Sequence, residues 1–164
     1  MKGFNFRLSF SIFLFLLSNT LHGQDFEVAP VLVNFTANPG ESQSKILTIR
    51  NHSPEKQKFT LNLSDYLLNE SGDKVQKTAG TTDRTLFNWL TINPSFITLN
   101  PNESAEVELN INVPRDGFNT RWGIIHVQAA KEQTPASADK QLATGVIIVP
   151  RIVVLLNQNP KPNS

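Results

Sequence analysis

The sequence predicts an all-β sandwich, and three observations predict it. Short segments with a two-residue apolar period recur along the chain, clusters of Asn, Pro and Gly separate them, and no segment longer than a turn or two carries the 3.6-residue helical period. The clearest segment is Ala105 to Val113, where Ala105, Val107, Leu109, Ile111 and Val113 alternate with Glu106, Glu108, Asn110 and Asn112. Such alternation puts one face of a strand on a core and the other in water. Asn100 to Ser104 supplies turn formers before it, and Pro114 removes a backbone donor after it.

The first residues stand apart from this pattern. Lys2 and Arg7 lead into LSFSIFLFLL, an apolar run of secretory h-region length, followed by polar SNTLHGQ. A membrane span needs roughly 20 apolar residues, so the run is too short to be one. Residues 1–23 therefore read as a signal peptide, 24–157 as one domain and 158–164 as a polar tail. Removing 23 of the 164 residues leaves 141, enough for a single core. Lys2 and Arg7 leave with the leader, which takes the formal charge from +1 to −1. A near-neutral chain without a basic run is not expected to bind nucleic acid or anionic lipid. There is no cysteine, so the core alone must hold an exported domain together.

Along the mature chain, Phe26 to Phe35 is the first strand, and its phase slips. Phe26 and Val28 are apolar at even positions, and Val31, Val33 and Phe35 at odd ones, with Pro30 at the slip. A proline there predicts a kink that carries the chain from one sheet to another. Asn38-Pro39-Gly40-Glu41 is a turn, followed by a strand near Ser44 to Asn51 with Leu47 and Ile49 inward. Asn51-His52-Ser53-Pro54 turns the chain into Lys58 to Tyr66, where Phe59, Leu61 and Leu63 alternate with polar residues. Asn69 to Arg84 has neither period and reads as a long loop or a weak edge hairpin. Trp89 to Ile92 and Phe96 to Leu99 are short strand fragments around Asn93-Pro94-Ser95, and Arg121 to Ala130 and Gly145 to Leu156 complete the set. About seven short strands without βαβ alternation predict a single immunoglobulin-like sandwich.

The last segment differs from the others. In GVIIVPRIVVLL both faces are apolar, which suits a strand buried on both sides or one with a face left for another molecule. Pro150 and Arg151 interrupt Val146 to Leu156, so no membrane span is expected after the leader. Arg151 is the one charge in this run, either an edge residue that deters aggregation or a carboxylate binder.

Elsewhere the chemistry is sparse. His52 and His126 are the only histidines after the leader, and no HxH, HExxH, GxSxG or glycine-rich phosphate loop occurs. No metal, no cofactor and no enzymatic activity are expected. Asp65 and Glu70 read as a solvated strand end and its loop rather than a carboxylate pair, and Trp89 and Trp122 as core aromatics.

Three phrases, FEVAPVLVNFTANPGESQSKILTIRNHS, INPSFITLNPNESAEVELNINVP and VPRDGFNTRWGIIHV before a long apolar strand, together resemble the PapD-like immunoglobulin superfamily of exported bacterial proteins. VPRDGFNTRW is similar to the proline, acidic and aromatic-tryptophan segment of periplasmic pilus chaperones, and VPRIVVLLN to their final basic-aliphatic strand. The resemblance implies a strand that completes a partner's sheet with alternate apolar residues. On the simplest matching, the chaperones' first-strand arginine falls at Leu32 and their last-strand lysine at Val153, with Arg151 two residues earlier. A second similarity, of VPRDGFNTRWGII and SDYLLNESGD, is to the peptidoglycan-associated domain of WxL-interacting proteins.

The expected function is that of an exported, chaperone-like binding module in the periplasm or at the cell surface. It would capture an extended segment of an exported or surface protein by edge-strand pairing, with Ile147, Val149, Arg151, Val153 and Leu155 as the contact residues. The alternative is a domain bound to the cell wall, in which Trp122 or the Asn69 to Arg84 loop contacts peptidoglycan.

Overall fold

A computed structural model describes residues 25–130 and 149–160. The leader 1–23, the polar stretch that follows Ala130, Ile147 and the tail past Pro160 lie outside the described residues. Among those described there is no helix, and ten short strands form two sheets.

The phase slip at Pro30 does what its sequence predicts. β1 (Phe26–Ala29) pairs antiparallel with β3 (Ser42–Asn51), whereas β2 (Leu32–Phe35) leaves for the other sheet. The Ala29–Pro30 peptide between them is cis. A second switch occurs at the other cis peptide, Asn93–Pro94: β6 (Leu90–Asn93) belongs to the first sheet and β7 (Phe96–Leu99) to the second. The first sheet runs β1-β3-β8-β6, with β8 at Ser104–Asn112. The second runs β2-β10-β9-β4-β5, where β4 is Gln57–Leu68, β5 Lys74–Lys77, β9 Arg121–Ala130 and β10 Arg151–Gln158, and β7 pairs with β4. The count rises from about seven to ten because the switch at Pro30 divides the first strand in two, the two fragments around Asn93-Pro94-Ser95 stand as separate strands in different sheets, and Asn69 to Arg84 contains β5 as an edge hairpin on β4.

The two turns that open β3 and β8 share one design. In Asn38-Pro39-Gly40-Glu41 and Asn100-Pro101-Asn102-Glu103 the third residue has positive φ, 83° at Gly40 and 62° at Asn102. Proline presets the second position of a type II turn, and Gly or Asn tolerates the left-handed third. In each, the glutamate carboxylate accepts the first residue's N–H, at 2.8 Å from Asn38 N and 2.7 Å from Asn100 N.

The alternation of β8 is borne out. Val107, Leu109, Ile111 and Val113 are buried while Glu106, Glu108 and Asn112 are exposed. Burying each such side chain contributes about 1.5–3 kcal/mol. They join Leu47 and Ile49 of β3, Phe59 and Leu61 of β4, Ile125 and Val127 of β9, and Val154 and Leu156 of β10 in one core cluster. Buried Asn51 ties the margin: its Nδ2 donates to the carbonyls of Glu55, Leu99 and Asn100, and its Oδ1 accepts from Ser53 N.

Two expectations are corrected. Val31 shares the apolar odd phase of Val33 and Phe35 but is exposed, because the strand restarts at Leu32 with Val33 and Phe35 inward. Asp65, for which the sequence predicts a solvated strand end, is fully buried. Its Oδ1 accepts from Thr85 Oγ1 at 2.7 Å, and its Oδ2 from Thr81 N, Thr82 N and Thr82 Oγ1 at 3.0–3.1 Å. The segment after β5 wraps around that carboxylate, which lies on the inward phase of β4 shared by Phe59 and Leu61.

Candidate functional site

β10 begins at Arg151, and Val149 and Pro150 precede it outside any strand. Alternation divides the apolar run: Val154, Leu156 and Gln158 face the core, and Arg151, Val153 and Leu155 face outward with Asn157. Gln158 is buried with its Nε2 on Ala37 O, so the strand runs one residue beyond the boundary expected for the domain. Of the outward residues, Val153 is 42% exposed, Leu155 half-buried and Arg151 exposed; Val149 is 38% exposed.

The two margins of β10 are used unequally. One pairs antiparallel with β9 from Arg151↔Gln128 to Gln158↔Arg121. The other pairs in parallel with β2, but only from Leu155↔Leu32 to Gln158↔Phe35. Leu155 N–H donates to Val31 O and Asn159 N–H to Phe35 O, so odd-numbered residues direct their N–H toward the β2 side. Arg151 and Val153 share that parity. Their backbone groups point into a margin where, among the described residues, no strand pairs with them.

The chain entering β2 adds residues that the sequence does not assign to the contact surface. Val31 is 54% and Leu32 47% exposed, and Leu32 lies in register with Leu155. Together with Val153 they make an apolar surface beside the unpaired margin. The signal was available in part: with Val33 and Phe35 inward, Leu32 is a large apolar residue on the outward phase.

Behind Val153, in register on β9, stands His126. It is only 7% exposed, and among the described residues neither ring nitrogen has a hydrogen-bond partner. Burial, and secondarily the positive charge of Arg151, lower its pKa from the ordinary 6.5. Arg151 Nη2 donates to Gln128 Oε1 at 3.1 Å, and among the described residues it meets no carboxylate.

The two tryptophans have different roles. Trp89 is buried, with the Arg121 guanidinium 4.2 Å from its ring centroid. Trp122 is half-buried on the outer face of the second sheet rather than in the core, 6.1 Å from the Tyr66 ring, with its Nε1–H donating to Tyr66 O. Among the described residues no three His, Asp or Glu side chains gather in a way that could hold a metal, and no helix is long and apolar enough to cross a membrane.

No protein-family model matches the chain, and no curated protein matches it in sequence. Among solved structures it is similar to the seventh PapD-like domain of human CEP192, at 16% identity and a TM-score of 0.55 over 85% of this chain and 87% of that one. It is similar also to the chaperone–tip adhesin complex of CFA/I fimbriae, at 13% identity and 0.62 over 85% and 57%. The class 5 fimbrial chaperone CfaA follows at 14% and 0.60 over 84% and 57%. The chain thus spans a little over half the length of those two fimbrial chains.

Proposed function

From the premise that the chain has the PapD-like immunoglobulin fold, we propose that it is an exported binding module that captures an extended segment of a partner protein on β10. The observation that carries this reading is the margin of Arg151 and Val153, unpaired among the described residues, beside an apolar surface. An incoming strand would satisfy those backbone groups, and its alternate side chains would rest on Val149, Val153, Leu155 and Leu32, with Arg151 setting register or pairing with an acidic group. Ile147, the remaining candidate from the sequence, lies outside the described residues. Strand addition suits this site because the margin is open while the strand itself is fixed by β9 and by the buried Val154 and Leu156. The fimbrial chaperone likenesses support a protein partner and an exported setting. Such a role calls for no enzymatic chemistry, cofactor or metal.

The test combines hydrogen exchange with a panel of extended peptides that have alternating apolar residues. In the free chain the Arg151 and Val153 amides should exchange faster than those of Ile152 and Val154, which face β9. A bound peptide should protect the first two. Val153→Asp with Val149→Asp should weaken binding about tenfold or more while the circular dichroism spectrum is retained. Protection of both amides in the free chain, or unchanged binding by the folded double variant, refutes the reading.

A further inference from the structure

A different row of side chains crosses the outer face of the second sheet. Asn34, Asn157, Trp122, Tyr66 and Gln76 come from β2, β10, β9, β4 and β5 in turn. Asn157 is in register with both Asn34 and Trp122, and Tyr66 with Gln76. The Trp122–Tyr66 hydrogen bond at 3.1 Å closes the remaining step. Five strands spaced about 4.8 Å apart give the row a length of roughly 19 Å, perpendicular to the strands.

Its composition is an aromatic centre with amides on both sides. Asn157 Nδ2 donates to Asn34 Oδ1, and Gln76 Nε2 to Ser64 Oγ, both at 3.1 Å. Among the described residues, Asn157 Oδ1, Asn34 Nδ2 and Gln76 Oε1 have no partner and remain available to a ligand. Two exposed cations stand over the rings, Arg84 at 5.8 Å from the Trp122 centroid and Lys74 at 5.8 Å from the Tyr66 centroid. Neither pairs with a carboxylate among the described residues. Arg121 differs: at 4.2 Å over buried Trp89, with Nη1 on Thr85 O, it is a packed structural contact. Asp65, beside Tyr66 on β4, is buried and its four accepted hydrogen bonds all come from Thr81, Thr82 and Thr85; exposed Asp73 and Asp83 precede the two cations in the chain.

We propose that this row is a binding subsite for an acidic oligosaccharide. The C–H face of a sugar ring lies against half-exposed Trp122, with Tyr66 as the buttress behind it. Hydroxyls meet the side-chain amides, and a sugar carboxylate meets Arg84 and Lys74. Charge selects the occupant: two exposed cations that meet no carboxylate among the described residues, Arg84 held by a hydrogen bond to Thr120 O, favour a carboxylated glycan over a neutral one.

NMR titration of the described domain in its full chain tests this, with oligogalacturonate as the acidic probe and a cello-oligosaccharide of equal length as the neutral one. The acidic probe should shift the Trp122 indole N–H resonance and bind about tenfold or more tightly than the neutral one. Lys74→Gln with Arg84→Gln should abolish that preference. Trp122→Ala should remove binding and Trp122→Phe largely restore it, which separates a ligand contact from a packing role. Val153→Asp, which disables the proposed β10 margin, should leave glycan binding unchanged. Equal affinity for the two probes, no shift at Trp122, or unaltered binding by Trp122→Ala overturns the proposal.

Discussion

Removing the Asp65 carboxylate should loosen one side of the sandwich, and the structure supplies the terms. Asp65→Ala leaves Thr81 N–H and Thr82 N–H without an acceptor, together with the hydroxyls of Thr82 and Thr85. A buried donor left unsatisfied costs about 1–3 kcal/mol. The two amides are only partly buried, so about 1.5 kcal/mol each, with roughly 1 more from Thr85, gives a loss near 4 kcal/mol. For a domain of this size that lowers the melting temperature by about 12 °C. Asp65→Asn is the sharper variant. Thr85 Oγ1 already accepts from Gly80 N and Phe87 N, which fills its lone pairs, so its own proton must go to an acceptor. An Asn side chain can present oxygen either to Thr85 or to Thr81 and Thr82, never to both, and should cost about 1–2 kcal/mol. Urea denaturation of the three proteins measures this. An alanine cost below about 1 kcal/mol, or an asparagine cost equal to it, refutes the hydrogen-bond account.

Two further outcomes follow from packing and charge. A Cβ on Gly117 would lie 2.7 Å from Val113 Cγ1, 2.8 Å from Trp89 Cη2 and 2.9 Å from Pro114 O, so Gly117→Ala should destabilise by about 1–3 kcal/mol and alter the near-UV signal of Trp89; an unchanged midpoint and spectrum would contradict it. Because the folded state holds His126 below its ordinary 6.5, the unfolded chain binds more protons in that range. The His126 contribution is therefore complete above about pH 6.5 and is lost as pH falls through the lower folded value. Urea midpoints between pH 7.5 and 5 should fall less steeply for His126→Leu than for the unaltered chain.

Much of this fold was legible because strand alternation and proline punctuation are local signals. Val107, Leu109 and Ile111 announce an inward face by spacing alone, and the phase slip at Pro30 announces a change of sheet. The twin Asn-Pro-Gly-Glu and Asn-Pro-Asn-Glu turns were readable for the same reason. Asp65 was not, because whether a carboxylate at a strand end is solvated depends on threonines 16 to 20 residues later folding back over it. Trp122 was misplaced because its core or solvent phase is ambiguous beside Gly123 and Ile124, both buried. For β10 the two apolar faces were visible, and which one meets the core was not. Register with β9 and β2 decides that, and those pairings span dozens of residues.

The two proposed surfaces share the second sheet but use different properties of it. The proposed strand capture would use backbone donors and acceptors in the plane of the sheet, and the division of the first strand at Pro30 sets how much of β10 is open to it. Had residues 26–35 stayed in one sheet, β2 would not lie along β10, and Leu155 to Gln158 would be as open as Arg151 and Val153. By joining β10 only from Leu155 onward, β2 limits the open margin to its first half and sets Val31 and Leu32 at its end. The glycan row uses side chains perpendicular to the sheet, at the end where β2 already pairs with β10 and the backbone is satisfied. Asn34 and Asn157 belong to that paired half, whereas Arg151 and Val153 belong to the half that no strand pairs among the described residues. A protein segment added at Arg151 therefore need not displace a ligand at Trp122, and the two sites are separable by mutation on a single strand.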